Sequence, residues 1–127
     1  MAKEKANKGI VYCSGPLFSP EEVLTMERIA AVLEADGFET FLPHRDGVEA
    51  YVMNQLNNPF SNSYLFKPVK KAVNKAIFAL DIYQITERCN YFVFNMNGRV
   101  PDEGGVVETA VAFAYGKPLL VERAEWT

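Results

Sequence analysis

Four short apolar, β-prone runs alternate with stretches of helical period, and that alternation constrains the fold more than any other feature. The runs cover residues 10–13, 38–42, 91–94 and 119–121. The first three stop at turn signals: Ser14-Gly15-Pro16, Pro43, and Asn97-Gly98 before Pro101. Short apolar runs bounded in this way read as buried strands. Strands that alternate with helices pair in parallel through right-handed crossovers. Nearly continuous apolar strands fit a sheet covered on both faces. The expected fold is therefore α/β: one domain over residues 1–127, a parallel sheet of four to five strands, helices on both faces, and a flexible start over residues 1–8.

The helical segments carry their own punctuation. Ser19-Pro20-Glu21-Glu22 supplies an N-cap, a proline at the first helical position and a capping-box glutamate. Val23, Met26, Ile29, Ala30 and Leu33 follow at helical spacing, and Gly37 is the expected stop. Residues 44–47 read as a loop, 48–58 as a short helix and 59–63 as a second loop. Residues 67–88 repeat apolar positions at Val69, Val73, Ile77 and Leu80, with Pro68 near the start. Gly104-Gly105 opens a last helix whose expected apolar face is Val107, Ala110, Val111 and Ala114, and Gly116-Lys117-Pro118 ends it.

Composition removes several classes of function. The 127 residues include 13 Lys and Arg against 16 Asp and Glu, a net charge of −3. A nucleic-acid polymer calls for a basic surface that displaces counterions, so it is not the expected partner. The cysteines, Cys13 and Cys89, are too few and too far apart for a metal ribbon or a disulfide framework, and read as reduced thiols. No stretch approaches the ~20 apolar residues that span a bilayer. The lysine-rich start leads into an apolar run cut by Ser14-Gly15-Pro16, which is no signal-peptide core. A cytoplasmic protein without membrane contact is expected.

Parallel sheets bind ligands at the carboxyl ends of their strands. The loops to search are thus 14–19, 43–47 and 95–108. The last is the richest: Pro101-Asp102-Glu103-Gly104-Gly105-Val106-Val107-Glu108. Glu108 is expected in the first turn of the helix, where exposed N–H groups and the dipole favour an ionised carboxylate. Such an anion at a cleft suits a glycosidic nucleophile; an acidic helix start is also favourable in itself. Cys13-Ser14-Gly15-Pro16-Leu17-Phe18 is no G-x-G-x-x-G, and Pro16 also removes a donor where a pyrophosphate would want one. Phe18 offers a flat apolar face for a nucleobase, or a core aromatic. His44, the lone histidine, follows a ligand-facing strand end, where it would contact a base or have no role. Arg45 and Asp46 read as a local ion pair, and Trp126 as a packing residue of the tail.

Val11-Tyr12-Cys13-Ser14-Gly15-Pro16-Leu17-Phe18, Phe41-Leu42-Pro43, Asn90-Tyr91-Phe92-Val93-Phe94-Asn95-Met96-Asn97-Gly98, Pro101-Asp102-Glu103-Gly104 with Glu108, and Ala114-Tyr115-Gly116-Lys117-Pro118 together resemble the nucleoside 2-deoxyribosyltransferases. The resemblance implies a flavodoxin-like fold, a homo-oligomer of two or more subunits and no metal or organic cofactor. It implies cleavage or exchange of the N-glycosidic bond of 2′-deoxynucleosides, with nucleoside and nucleobase as small-molecule partners. Glu108 would attack C1′ and expel the base, and a second base or water would take the sugar. Tyr12 matches the tyrosine that steadies the nucleophile. Gly15, Pro16, Leu17 and Phe18 match the loop holding base and sugar. Asp102 and Gly104 match the acidic loop of the pocket, and a carboxylate at 102 favours nucleosides over nucleotides. Asn90 stands where the family usually has an aspartate contacting the base; Asn95, Gly105 and Ala110 also depart from the family pattern. An amide hydrogen-bonds but is no general acid, so a nucleoside- or nucleotide-binding module with little turnover is the alternative.

Overall fold

The computed structural model describes residues 8–17, 19–47, 66–96 and 103–122. Expectations for residues 1–7, Phe18, the segment 48–63, the turn 97–101, Asp102 and Trp126 fall outside these. In chain order the elements are β1 (Ile10–Ser14), α1 (Pro20–Ala35), β2 (Glu39–Phe41), α2 (Pro43–Asp46), α3 (Phe66–Tyr83), a π-helical turn (Gln84–Arg88), β3 (Tyr91–Asn95), α4 (Glu103–Ala114) and β4 (Leu119–Glu122). The described strands form one sheet in the order β2-β1-β3-β4, with every pair parallel. This is the doubly wound, flavodoxin-like arrangement. Strand order reverses beside β1, so the carboxyl end of β1 is where a ligand crevice opens.

Strand alternation divides the core into two layers. Val11, Cys13 and Val93 face Met26 and Ala30 of α1, together with Leu42. Tyr12, Phe92 and Phe94 face the other way, onto Phe41, Ile85, Cys89 and Ala112. Tyr12, Phe41 and Phe92 share one register across three strands. Their rings stack, with centroids 5.4 Å apart for Tyr12–Phe41 and 5.5 Å for Tyr12–Phe92. Tyr12 is fully buried and has no room to swing.

Helix α1 begins as its sequence dictates: the Ser19 side chain accepts from the Glu22 N–H at 3.2 Å, and Pro20 opens the first turn. Gly37 then takes φ 98°, a left-handed conformation that lets the chain turn into β2. Residues 43–46 form a short helix rather than a loop. Pro43 pre-sets its first turn, and the Asp46 carboxylate accepts from the Leu42 N–H at 3.0 Å. Arg45 pairs with Asp46 at 2.7 Å and reaches Glu34 of α1 at 3.1 Å. Burial alone would raise the Asp46 carboxyl, but the Arg45 guanidinium and the Leu42 N–H hold it below the usual range.

The largest departure from expectation is the buried face of α4. Val106 and Val107 are both 47% exposed and Phe113 is 75% exposed, while Gly105 and Ala112 are buried. The helix presses its small residues against the sheet: a Cβ on Gly105 would lie 2.4 Å from Cε1 of Phe94. Close approach selects glycine and alanine, so the bulkiest side chains are left outside. Gly105→Ala should cost about 1–3 kcal/mol by overpacking, because Phe94 is itself buried. Urea unfolding should show a lower midpoint at unchanged slope. Among the described strands β4 lies at the edge of the sheet, with Leu120 and Val121 exposed. No helix among the described residues is long and apolar enough to cross a membrane.

Candidate active site

Tyr12 and Ser14 are two apart on β1, so both side chains stand on the face that α4 covers. The Tyr12 hydroxyl donates to Oε2 of Glu108, and the Ser14 hydroxyl donates to Oε1 at 3.0 Å. Both oxygens of one carboxylate are thus held by donors from a single strand. Glu108 is the sixth residue of α4, beyond the first turn, so the helix terminus does not hold it as expected from sequence. The two hydroxyls do that work, since hydrogen bonds donated to a carboxylate favour its anion.

Glu108 opens on a cavity of about 500 Å³ at the carboxyl end of β1, beside Pro43 just past the end of β2, within the range of small-molecule sites. Cys13, Ser14, Gly15 and Leu17 form one wall, and Gly104, Val107 and Glu108 a second. The third wall is α3, which contributes Asn74, Ile77, Phe78 and Asp81 at helical spacing. A Cβ on Gly15 would lie 2.6 Å from the Met26 sulfur and 2.9 Å from Cβ of Asn95, so this loop needs a glycine. Cys13 is no nucleophile: burial pushes its thiol up to about 12, and that of Cys89 up to about 11.

The structure brings Tyr12, Gly15, Leu17, Gly104 and Glu108 together. Pro16 is buried behind the loop and does not line the cavity. Phe18 and Asp102 lie outside the described residues. Asn90 must be reassigned. Its Oδ1 accepts from the Ile10 N–H at 2.9 Å, and its own N–H donates to Ile10 O at 2.8 Å. Both residues stand where their strands begin, at the edge of the sheet opposite Glu108. Asn90 locks the start of β1 onto β3 and takes no part in the cavity. Among the described residues, the carboxyl group that shares the cavity with Glu108 is Asp81, which no motif had marked. His44 is also absent from the lining; its Nε2 lies 3.5 Å from Glu27 of α1.

The nucleoside 2-deoxyribosyltransferase family model matches residues 11–127, which contain every group of this site. The chain belongs to that family. As a nucleoside 2-deoxyribosyltransferase family member it shares its fold with a solved 2-deoxyribosyltransferase from the psychrotolerant bacterium Bacillus psychrosaccharolyticus, a protein described as a biocatalyst for the synthesis of antiviral and antitumoral nucleosides. The TM-score is 0.65 at 19% identity, over 93% of this chain and 76% of the other. No curated protein matches it by sequence. Membership places the chain among transferases acting on nucleosides.

Proposed function

We propose that this protein transfers the 2-deoxyribosyl group of a 2′-deoxynucleoside through a covalent intermediate on Glu108. The observation that carries the reading is the Glu108 carboxylate, bonded on both oxygens by Tyr12 and Ser14 and facing a cavity at the strand ends. An anion fixed in orientation and denied rotation is prepared to attack C1′. The C1′–O bond forms as the C1′–N bond breaks, and the electron pair leaves on the base. Asp81, which lines the same cavity, supplies the proton to the departing base and recovers it from the incoming one. The apolar stretch of Leu17, Ile77 and Phe78 gives the flat base its contact surface. With Glu108 and Asp81 in the lining and no Lys or Arg among its described residues, the cavity favours a neutral nucleoside over a phosphorylated one.

The test pairs a 2′-deoxynucleoside with a different free base. Appearance of the exchanged nucleoside is expected. Free base with deoxyribose alone would make water the acceptor, and binding without any product would favour a non-catalytic nucleoside-binding module. We further propose that a second copy of the chain covers the cavity mouth, where Phe78 is 57% and Val107 47% exposed. A glycosyl intermediate must be shielded from water to be transferred rather than hydrolysed. Light scattering at micromolar concentration should give a dimer or larger, and a fully active monomer would contradict the shared site.

A further inference from the structure

We propose that Ser14 is a catalytic residue that sets the lifetime of the glycosyl-enzyme, by donating its hydrogen bond to the oxygen on which charge returns when the intermediate breaks. The proposal rests on the reading of Glu108 as nucleophile. Its basis is the division of labour between the two donors. Tyr12 is fully buried in the ring stack and is not among the residues lining the cavity, whereas Ser14 lines it. The oxygen held by Ser14, Oε1, is therefore the one turned toward the sugar, and Oε2 is turned inward to Tyr12.

A single hydrogen bond would leave the carboxylate free to rotate about its last torsion, which is broad for glutamate. Two donors on different oxygens remove that freedom and fix which oxygen attacks. Oε1 then bonds to C1′ and becomes the ester oxygen, while Oε2 becomes the carbonyl oxygen and stays with Tyr12. In the second half-reaction the acceptor bonds to C1′, the C1′–Oε1 bond breaks, and its electron pair returns to Oε1. The Ser14 proton stays on Ser14 throughout. Its hydrogen bond is weak to the ester and strong to the returning anion, so it lowers the second barrier by strengthening as charge develops. Ser14 is itself 2% exposed and paired to Phe94 across the sheet, so its donor is in place before substrate arrives.

The discriminating experiment measures the two half-reactions separately in wild type and in Ser14→Ala. Base release in a single turnover reports formation of the glycosyl-enzyme, and loss of the quenched adduct after adding acceptor reports its breakdown. Breakdown should slow about tenfold or more, the worth of one hydrogen bond to a charged group. Base release loses only the orienting effect, because the same hydrogen bond stabilises the anion before it attacks, so it should slow little or speed up, and the adduct should accumulate at steady state. Ser14→Cys, which keeps the volume and a weaker donor, should fall between the two, and thermal unfolding checks that each variant is folded.

A readout that needs no turnover is the titration of the Glu108 side chain, followed by its carboxyl carbon resonance. Its midpoint should rise in Ser14→Ala, since the anion loses a donor. Among the described residues the titratable groups around it are Tyr12 and Cys13 on β1 and Asp81 on α3, and Asp81→Asn controls for the last. Equal slowing of both half-reactions, or no slowing, with an unmoved midpoint would overturn the proposal. A wild type that releases no base would instead overturn the transferase reading and this role with it. The titration would then still report whether Ser14 holds the anion.

Discussion

Glu108→Gln should lower the rate of base release by at least about a thousandfold, on the order of 4 kcal/mol of transition-state stabilisation. The substitution keeps the length and the branching of the side chain but removes the anion that attacks C1′. Stability should change by less than about 1 kcal/mol, because Glu108 is only half-buried and the hydroxyls of Tyr12 and Ser14 can rotate to suit an amide. Nucleoside affinity, read by calorimetry, should stay within a few fold if the base contacts Ile77 and Phe78 of α3 as proposed. A purely structural role for Glu108 predicts the reverse pattern: a loss of stability with turnover intact.

Phe92→Ala should be the most destabilising single change, at about 3–5 kcal/mol. Phe92 is 1% exposed at the centre of the sheet, and its ring lies almost parallel to that of Tyr12. Removing it opens a void beside the tyrosine whose hydroxyl holds Glu108. The fraction that remains folded should therefore turn over more slowly than wild type, because the Tyr12 ring gains room to tilt. Phe92→Leu, which fills most of the volume, should cost about 1.5 kcal/mol or less and keep most of the activity. Urea unfolding followed by circular dichroism checks both values.

The sheet was legible because its strands are short, apolar and sharply bounded, so Ile10–Ser14 and Tyr91–Asn95 emerge within a residue of their expected ends. The α1 cap was legible because Ser19, Pro20 and Glu22 act locally. The faces of the later helices were not. An apolar-periodicity reading favours Val107 and Ala110 for the core, yet close packing on Phe94 selected Gly105 and Ala112. The continuation of α3 as a π turn was equally hidden. Cys89 N–H bonds back five residues to Gln84 O at 2.7 Å, and Ile85 turns into the core.

The site divides along the same line. Tyr12 and Glu108 stood out through the resemblance, and Ser14 was recoverable from simple alternation along β1 once Tyr12 was placed. Asp81 lay in the middle of a helix pattern, where one carboxylate looks like any solvated position; only the docking of α3 over the strand ends gives it a cavity. Asn90 shows the opposite error. It sits beside a strand, but at the amino end, where a parallel sheet presents no ligand crevice.

The most direct measurement is a rapid acid quench of wild-type protein mixed with a 2′-deoxynucleoside, followed by intact-mass and peptide analysis. A covalent mechanism predicts a transient mass gain of one deoxyribosyl unit, confined to the peptide bearing Glu108. The adduct should be lost on addition of a second base, with that base appearing as its nucleoside. Product formed with no adduct at any time, or an adduct on a different residue, would contradict Glu108 as the nucleophile.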